Sequence, residues 1–65
     1  MKVIRIVERT PYIDSNGKWN VFCQVLTGCT YTYGVVMCDT MEEAFALKEG
    51  QNIDAEKFDY RIKNV

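Results

Sequence analysis

Three cysteines are the side chains of this 65-residue chain with the most reactive chemistry, and their spacing argues against a metal site. Cys23, Cys29 and Cys38 follow a Cys-x5-Cys-x8-Cys pattern, and the chain contains no histidine. Structural zinc needs four ligands, which commonly come in close Cys-x2-Cys pairs. We therefore predict no metal and no cofactor, and we expect these cysteines to pack as small apolar groups. Cys29, in a predicted turn, should be the most exposed thiol, and the sequence leaves its reactivity open.

Paired carboxylates are the other groups that could support catalysis, at Glu42 with Glu43 and at Asp54 with Glu56. The first pair falls at a predicted helix start, where acidic side chains complement the helix dipole. The second pair falls in a polar connection. Without histidine no serine or threonine has a Ser-His type partner, and the four scattered glycines form no phosphate-binding loop. We therefore predict that the protein is not an enzyme.

Length and composition predict a single small domain spanning residues 1–65. A chain this short buries only about 60% of the surface that its unfolded form exposes. The eight basic and nine acidic residues give a net charge of -1, which excludes a globally basic nucleic-acid binder. The N-terminal apolar stretch is too short for a signal peptide, and no stretch is long enough for a membrane span. An odd number of cysteines favours a reducing compartment, so we expect a cytoplasmic protein.

The sequence pattern predicts a strand-strand-strand-helix-strand order. Residues 2–9, 19–27, 30–38 and 57–63 have strand composition or alternation. Asn16-Gly17 predicts a two-residue type I′ turn between the first two strands, and Gly28-Cys29 predicts a second tight turn. Thr40 and Glu43 form a capping box that starts a helix of about nine residues, ending near Gly50.

These elements predict an α+β fold, a small two-layer sandwich with a four-stranded mixed sheet and one helix on one face. A right-handed crossover through the helix would place strand four parallel to strand one. The predicted strand order is therefore 3-2-1-4.

The two turns set a register that separates the sheet into two faces. The predicted helix-covered core comprises Ile4, Ile6, Tyr12, Trp19, Val21, Cys23, Val25, Val36, Cys38, Phe58, Tyr60 and Ile62. The predicted open face comprises Val3, Arg5, Val7, Arg9, Phe22, Gln24, Leu26, Tyr31, Tyr33, Val35, Met37, Lys57, Arg61 and Lys63. A bulge at Pro11 would shift the first strand by one residue and exchange its faces, so the sequence leaves that choice open.

Charged residues also segregate along the chain. Residues 39–56 carry six acids and one base, a net charge of -5. The predicted open face has a net charge of +4 from five bases and one acid, namely Arg5, Arg9, Lys57, Arg61 and Lys63 against Asp59. The near-neutral total therefore predicts a dipolar molecule.

An open face rich in large apolar groups predicts an interaction surface, since soluble proteins rarely expose such patches without a use. We expect a non-enzymatic protein-binding domain of accessory or inhibitor type, comparable in size to many phage-encoded proteins. Protein partners, including a second copy in a homodimer, fit the aromatic, Met and Arg content. The alternative is single-stranded nucleic acid or DNA bound on the same face, and no membrane partner is expected. The predicted site residues are Arg5, Arg9, Phe22, Tyr31, Tyr33, Met37 and Arg61.

Overall fold

A computed structural model describes residues 1–60 of the chain. Within this range the elements are β1 (Lys2–Ile13), β2 (Trp19–Thr27), β3 (Thr30–Cys38), α1 (Met41–Ala46), a 3-10 turn (Ala55–Lys57) and β4 (Phe58–Tyr60). The four strands form one sheet in the order β1-β2-β3-β4, and every neighbouring pair is antiparallel. The α+β class and the four strands are confirmed, whereas the predicted order 3-2-1-4 and the mixed sheet are wrong.

The β2–β3 hairpin has the register that the sequence predicts. Trp19 pairs with Cys38, and the ladder continues without a shift to Thr27 opposite Thr30. Gly28 has a φ of 62° at the first turn position, and no described residue other than glycine has a positive φ. That combination fits a type II′ turn, whose twist matches that of the flanking strands.

The β1–β2 hairpin differs from the prediction by one residue because its loop is longer. The Asp14 amide donates to the Lys18 carbonyl at 2.9 Å, and the Gly17 amide donates to the Asp14 carbonyl at 3.1 Å. Gly17 takes a φ of 79°, whereas a type I′ turn would also need a positive φ at Asn16. The connection therefore spans residues 15–17, and Ile13 pairs with Trp19.

This longer loop and three register shifts change which β1 side chains reach each face. Val3 pairs with Val25 and is fully buried in the core, so its predicted place on the open face is wrong. Tyr12 pairs with Asn20 and is exposed, so its predicted place in the core is wrong. The irregularity between Glu8 and Tyr12 includes Pro11, the position at which the sequence left the register open.

Helix α1 begins as the sequence predicts and ends three residues earlier. The Thr40 hydroxyl accepts from the Glu43 amide at 3.1 Å, and the Glu43 carboxylate accepts from the Asp39 amide at 2.9 Å. The helix has six residues because the chain becomes extended at Leu47. Gly50, with a φ of 88°, belongs to a separate turn and does not end the helix.

The return segment, residues 48–54, explains why β4 does not lie beside β1. Gly50 and Gln51 exchange backbone hydrogen bonds with Val3 at 2.7 and 2.9 Å, so this segment lines the outer edge of β1 at its start. The chain then crosses the helix-bearing face, and Phe58 pairs with Val36 on the far side of the sheet. A parallel strand at the start of β1 would need the position that the return segment occupies.

Gly34 allows β4 to lie close to β3. A Cβ atom at this position would lie 2.4 Å from the Asp59 carbonyl oxygen and 2.4 Å from Cζ of Phe58. A glycine inside a strand commonly marks such a close approach. The Phe58 ring therefore covers Gly34 and closes the core at the β3 edge.

The core lies between α1 and one face of the sheet. Its buried members are Val3, Val21, Cys23, Val25, Val36, Cys38, Ala44, Leu47 and Phe58, with Met1, Ile6, Trp19 and Ile53 packed at its margin. The predicted core positions on β2 and β3 are confirmed. Tyr12 and Tyr60 are exposed, Ile4 is half-buried outside this cluster, and Ile62 lies outside the described residues. Over residues 1–60 no helix has the length and apolar character required to cross a bilayer.

Candidate functional site

The face of the sheet opposite α1, called the open face below, carries four rows of side chains, each running across the strands. The outer rows contain Lys2, Leu26 and Tyr31 at one end, and Tyr12, Asn20 and Met37 at the other. The inner rows contain Arg5, Gln24 and Tyr33, followed by Glu8, Phe22, Val35 and Asp59. No described element covers these rows, because α1 and the return segment both pack on the other face.

Aromatic and apolar groups form the centre of the open face. The rings of Phe22 and Tyr33 lie 6.1 Å apart between centroids, with an interplanar angle of 36°. Val35 is only 2% exposed, although it is not part of the core cluster. Tyr31 and Tyr33 are 61% and 42% exposed, while Leu26 and Met37 are half-buried. The result is a shallow apolar surface whose tyrosines can still lose substantial area on binding.

The described charges on the open face cancel. Lys2 and Arg5 are basic, and Glu8 and Asp59 are acidic. The predicted net charge of +4 therefore does not hold for the described residues. Lys57 belongs to the 3-10 turn before β4, and Arg61 and Lys63 lie outside the described residues.

Arg9 lies on the helix side of the sheet, so its predicted place on the open face is wrong. Its guanidinium donates to the Leu47 carbonyl at 2.6 and 2.9 Å and to the Phe45 carbonyl at 3.1 Å. Glu8 pairs with Phe22, so the next residue along the strand turns to the opposite side. These bonds satisfy carbonyl groups that the end of a helix leaves unpaired, where positive charge is favourable.

Five of the seven predicted site residues share the open face, namely Arg5, Phe22, Tyr31, Tyr33 and Met37. Arg61 lies outside the described residues. The sequence missed Glu8 and Tyr12 because both depend on the β1 register. The nearest signal for them was Pro11, which marked that register as uncertain.

Asn20 is a fully buried polar residue at the edge of the open face. Its amide nitrogen donates to the Asp14 carboxylate at 2.9 Å and to the Lys18 carbonyl at 3.1 Å. Asp14 in turn accepts from the Asn16 and Lys18 amides at 2.9 and 3.0 Å. The side-chain oxygen of Asn20 has no hydrogen-bond partner among the described residues. Asn20 and Asp14 together hold the three-residue loop that sets the β1 register.

A concavity of about 250 Å³ lies on the helix side of the sheet, between α1, β3 and the return segment. Its lining includes Cys38, Glu43, Leu47 and Lys57. Burial raises the pKa of the Cys38 thiol and the nearby Glu43 carboxylate raises it further, while Lys57 opposes the shift. The Cys38 thiol therefore stays protonated at neutral pH and is a poor nucleophile.

Cys23 is buried under the helix, and burial raises its pKa to about 11. Cys29 is exposed in the β2–β3 turn, as the sequence predicts. Over residues 1–60 no three metal-ligating side chains of the His, Cys, Asp or Glu types come together.

Comparison with protein-family models, curated proteins and solved structures gave no match.

Proposed function

We propose that this chain is a small non-enzymatic protein-binding module, of accessory or inhibitor type, and that the open face is its binding surface. The observation that carries the proposal is the exposure of Tyr31 and Tyr33 beside Phe22, over a centre in which Val35 is already buried. Aromatic residues and Met are enriched at the centres of protein interfaces, with polar groups around them. The basic and acidic residues of the open face lie on the two edge strands, β1 and β4, which matches that arrangement.

A protein partner fits this surface better than a nucleic acid. Single-strand binders combine stacking aromatic rings with a positively charged groove that follows the phosphates. The open face has the rings, but Glu8 and Asp59 offset Lys2 and Arg5 among the described residues. The described residues therefore supply no net positive charge to this face, and phosphate binding there would gain little from them.

A reducing, cytoplasmic compartment and the absence of catalysis belong to the same proposal. All three cysteines are free thiols, and two of them are buried. Burial keeps Cys23 and Cys38 in their protonated form, which supports a packing role for them.

The test compares Tyr33→Glu with Phe45→Glu, since both residues are exposed aromatics on opposite faces of the molecule. Proteins captured by the wild-type chain are identified, purified and titrated directly against both variants. We expect Tyr33→Glu to weaken binding at least about a hundredfold, because it places a charge at the centre of an interface. Phe45→Glu should bind as tightly as the wild type does. For both proteins the affinity should depend little on salt concentration.

Capture that does not depend on Tyr33 would contradict the proposal. A labelled single-stranded oligonucleotide, titrated at low and physiological salt, tests the alternative. We expect no binding in either buffer. Binding that falls steeply with salt and is lost in Tyr33→Glu would overturn the proposal in favour of nucleic acid.

A further inference from the structure

We infer that the partner of the open face is a second copy of this chain, packed face to face about a two-fold axis that runs across the strands. This inference rests on the proposed function, because it uses the same surface. A two-fold interface places the same patch on both subunits, so the patch must complement itself.

Arg5 and Glu8 provide that self-complementarity. They occupy neighbouring inner rows of the open face, opposite Gln24 and Phe22 respectively. Successive rows on one side of a strand lie about 6.8 Å apart. Neither side chain makes a hydrogen bond or an ion pair within the described part of the chain. Each therefore presents an unused charge to a partner.

A two-fold axis between the two inner rows exchanges these rows between copies. Arg5 of each copy then faces Glu8 of the other, which gives two symmetric ion pairs. A two-fold axis along the strands would instead place β1 of one copy over β4 of the other. Glu8 would then face the position of Asp59, which shares its row, and the two Arg5–Glu8 ion pairs would not form. The charge pattern therefore selects the axis across the strands.

The apolar groups agree with the same axis. Exchange of the inner rows places the exposed ring of Tyr33 over the row that contains Val35 and Phe22 of the other copy. Exchange of the outer rows places Tyr31 over the row of Met37. Two sheets pack in this way about 10 Å apart, with strands aligned to within about 30°. The tyrosine rings of β3 thus meet the smaller Val35 and the flexible Met37 of the other copy.

The available area sets the strength of this contact. The molecule measures 31 × 27 × 20 Å, which is the shape of a thin two-layer slab. A four-stranded face with nine-residue central strands offers roughly 500 Å² per copy, or about 1,000 Å² in total. Specific interfaces begin near that total. The dimer should therefore be weak and depend on protein concentration.

Charge reversal tests the inference by sedimentation of the purified chain across roughly three decades of concentration around the micromolar range. Arg5→Glu and Glu8→Arg each replace two attractive contacts with two repulsive ones, and each should weaken the dimer at least about tenfold. The double variant restores opposite charges and should recover the wild-type dissociation constant to within about threefold. Lys48→Glu, a charge reversal on an exposed residue outside the open face, is the matched control. Circular dichroism of each variant verifies that it remains folded.

Three other outcomes would contradict the inferred dimer or its axis. Single variants that weaken the dimer without recovery in the double variant would overturn the proposed axis. A chain that is monomeric at every concentration would overturn the inference, while Tyr33-dependent binding of a different protein would leave the proposed function standing. A dimer that tolerates both Tyr33→Glu and the charge reversals uses another surface, which would overturn the inference. If no other protein then binds through Tyr33, the proposed function fails as well.

Discussion

Replacing Gly34 with alanine should destabilise the fold, although strand preference alone predicts the opposite. Alanine is favoured over glycine in a strand by about 0.5–1 kcal/mol. In this structure the new Cβ would lie 2.4 Å from both the Asp59 carbonyl oxygen and the Phe58 ring. A side chain can rotate away, but the carbonyl belongs to the β3–β4 ladder. The substitution must therefore move β4 away from β3.

The size of the effect follows from what β4 contributes. Phe58 is 6% exposed, and uncovering a buried phenylalanine costs about 1.5–3 kcal/mol. Weakened ladder hydrogen bonds add about 0.5–1.5 kcal/mol each. We expect the free energy of unfolding to fall by about 3 kcal/mol. A domain of this length has a total of roughly 3–10 kcal/mol, so the variant should be close to unfolding at room temperature.

Urea denaturation followed by Trp19 fluorescence and circular dichroism measures this loss. Gly28→Ala is the control, because nothing lies within 4 Å of its added Cβ and its φ is 62°. That control should lose about 1–2 kcal/mol from the left-handed backbone alone. A Gly34→Ala variant as stable as the wild type, or less affected than Gly28→Ala, would refute the close approach of β4.

Three further predictions concern the helix end, the loops and the thiols. Arg9→Met keeps the apolar stem but removes the hydrogen bonds to the helix-end carbonyls, so it should lower the free energy of unfolding by about 1–3 kcal/mol. Urea denaturation measures this loss, and an unchanged midpoint would contradict the capping role of Arg9. The hydrogen bond from Lys18 lowers the pKa of Asp39. The stabilisation from this exposed pair should therefore be complete above about pH 4, the ordinary pKa of an aspartate, and should be lost as the pH falls through the lowered pKa. Thermal melts of Lys18→Met should therefore lose less stability on acidification than those of the wild type. An equal loss in the variant would show that the Lys18–Asp39 pair is not its cause. At pH of about 8 a thiol reagent should modify Cys29 at once and Cys23 only on unfolding, since burial raises the pKa of Cys23 to about 11; equal rates would contradict its burial.

The sequence predicted the open face well where a single turn determined it. Gly28 can adopt a positive φ in a two-residue turn, and every pair from Trp19 with Cys38 onward follows from that turn. Phe22, Tyr31, Tyr33 and Met37 were therefore placed correctly. The helix start was also predictable, because Thr40 and Glu43 act within one turn of chain.

The β1 side of the face depended on a choice that local sequence does not make. Asn16-Gly17 suits a two-residue turn, but Asp14 accepts two backbone amides and stabilises a three-residue loop instead. One residue of difference exchanges the faces of a strand, which moved Tyr12 onto the open face. The further shifts in β1 buried Val3 and turned Arg9 toward the helix.

The position of β4 depended on contacts between distant parts of the chain. The pairing of the return segment with β1 is not visible in any local pattern. Gly34 was the useful signal, because a glycine in the middle of a strand commonly marks a close neighbour. Its meaning becomes clear once Phe58 is seen to cover it.

The return segment also determines how the chain folds in time. Its bonds join Val3 to Gln51 and Met1 to Ile53, so the first strand gains its second edge contact from residues made nearly fifty positions later. Contacts of such long sequence separation form slowly, because a large loop must close before they stabilise anything. On the ribosome the β1–β3 meander must therefore wait for the rest of the chain before its core is covered. The open face is exposed together with the unfinished core during that interval, so the apolar surface that we propose for recognition is also where premature association would begin.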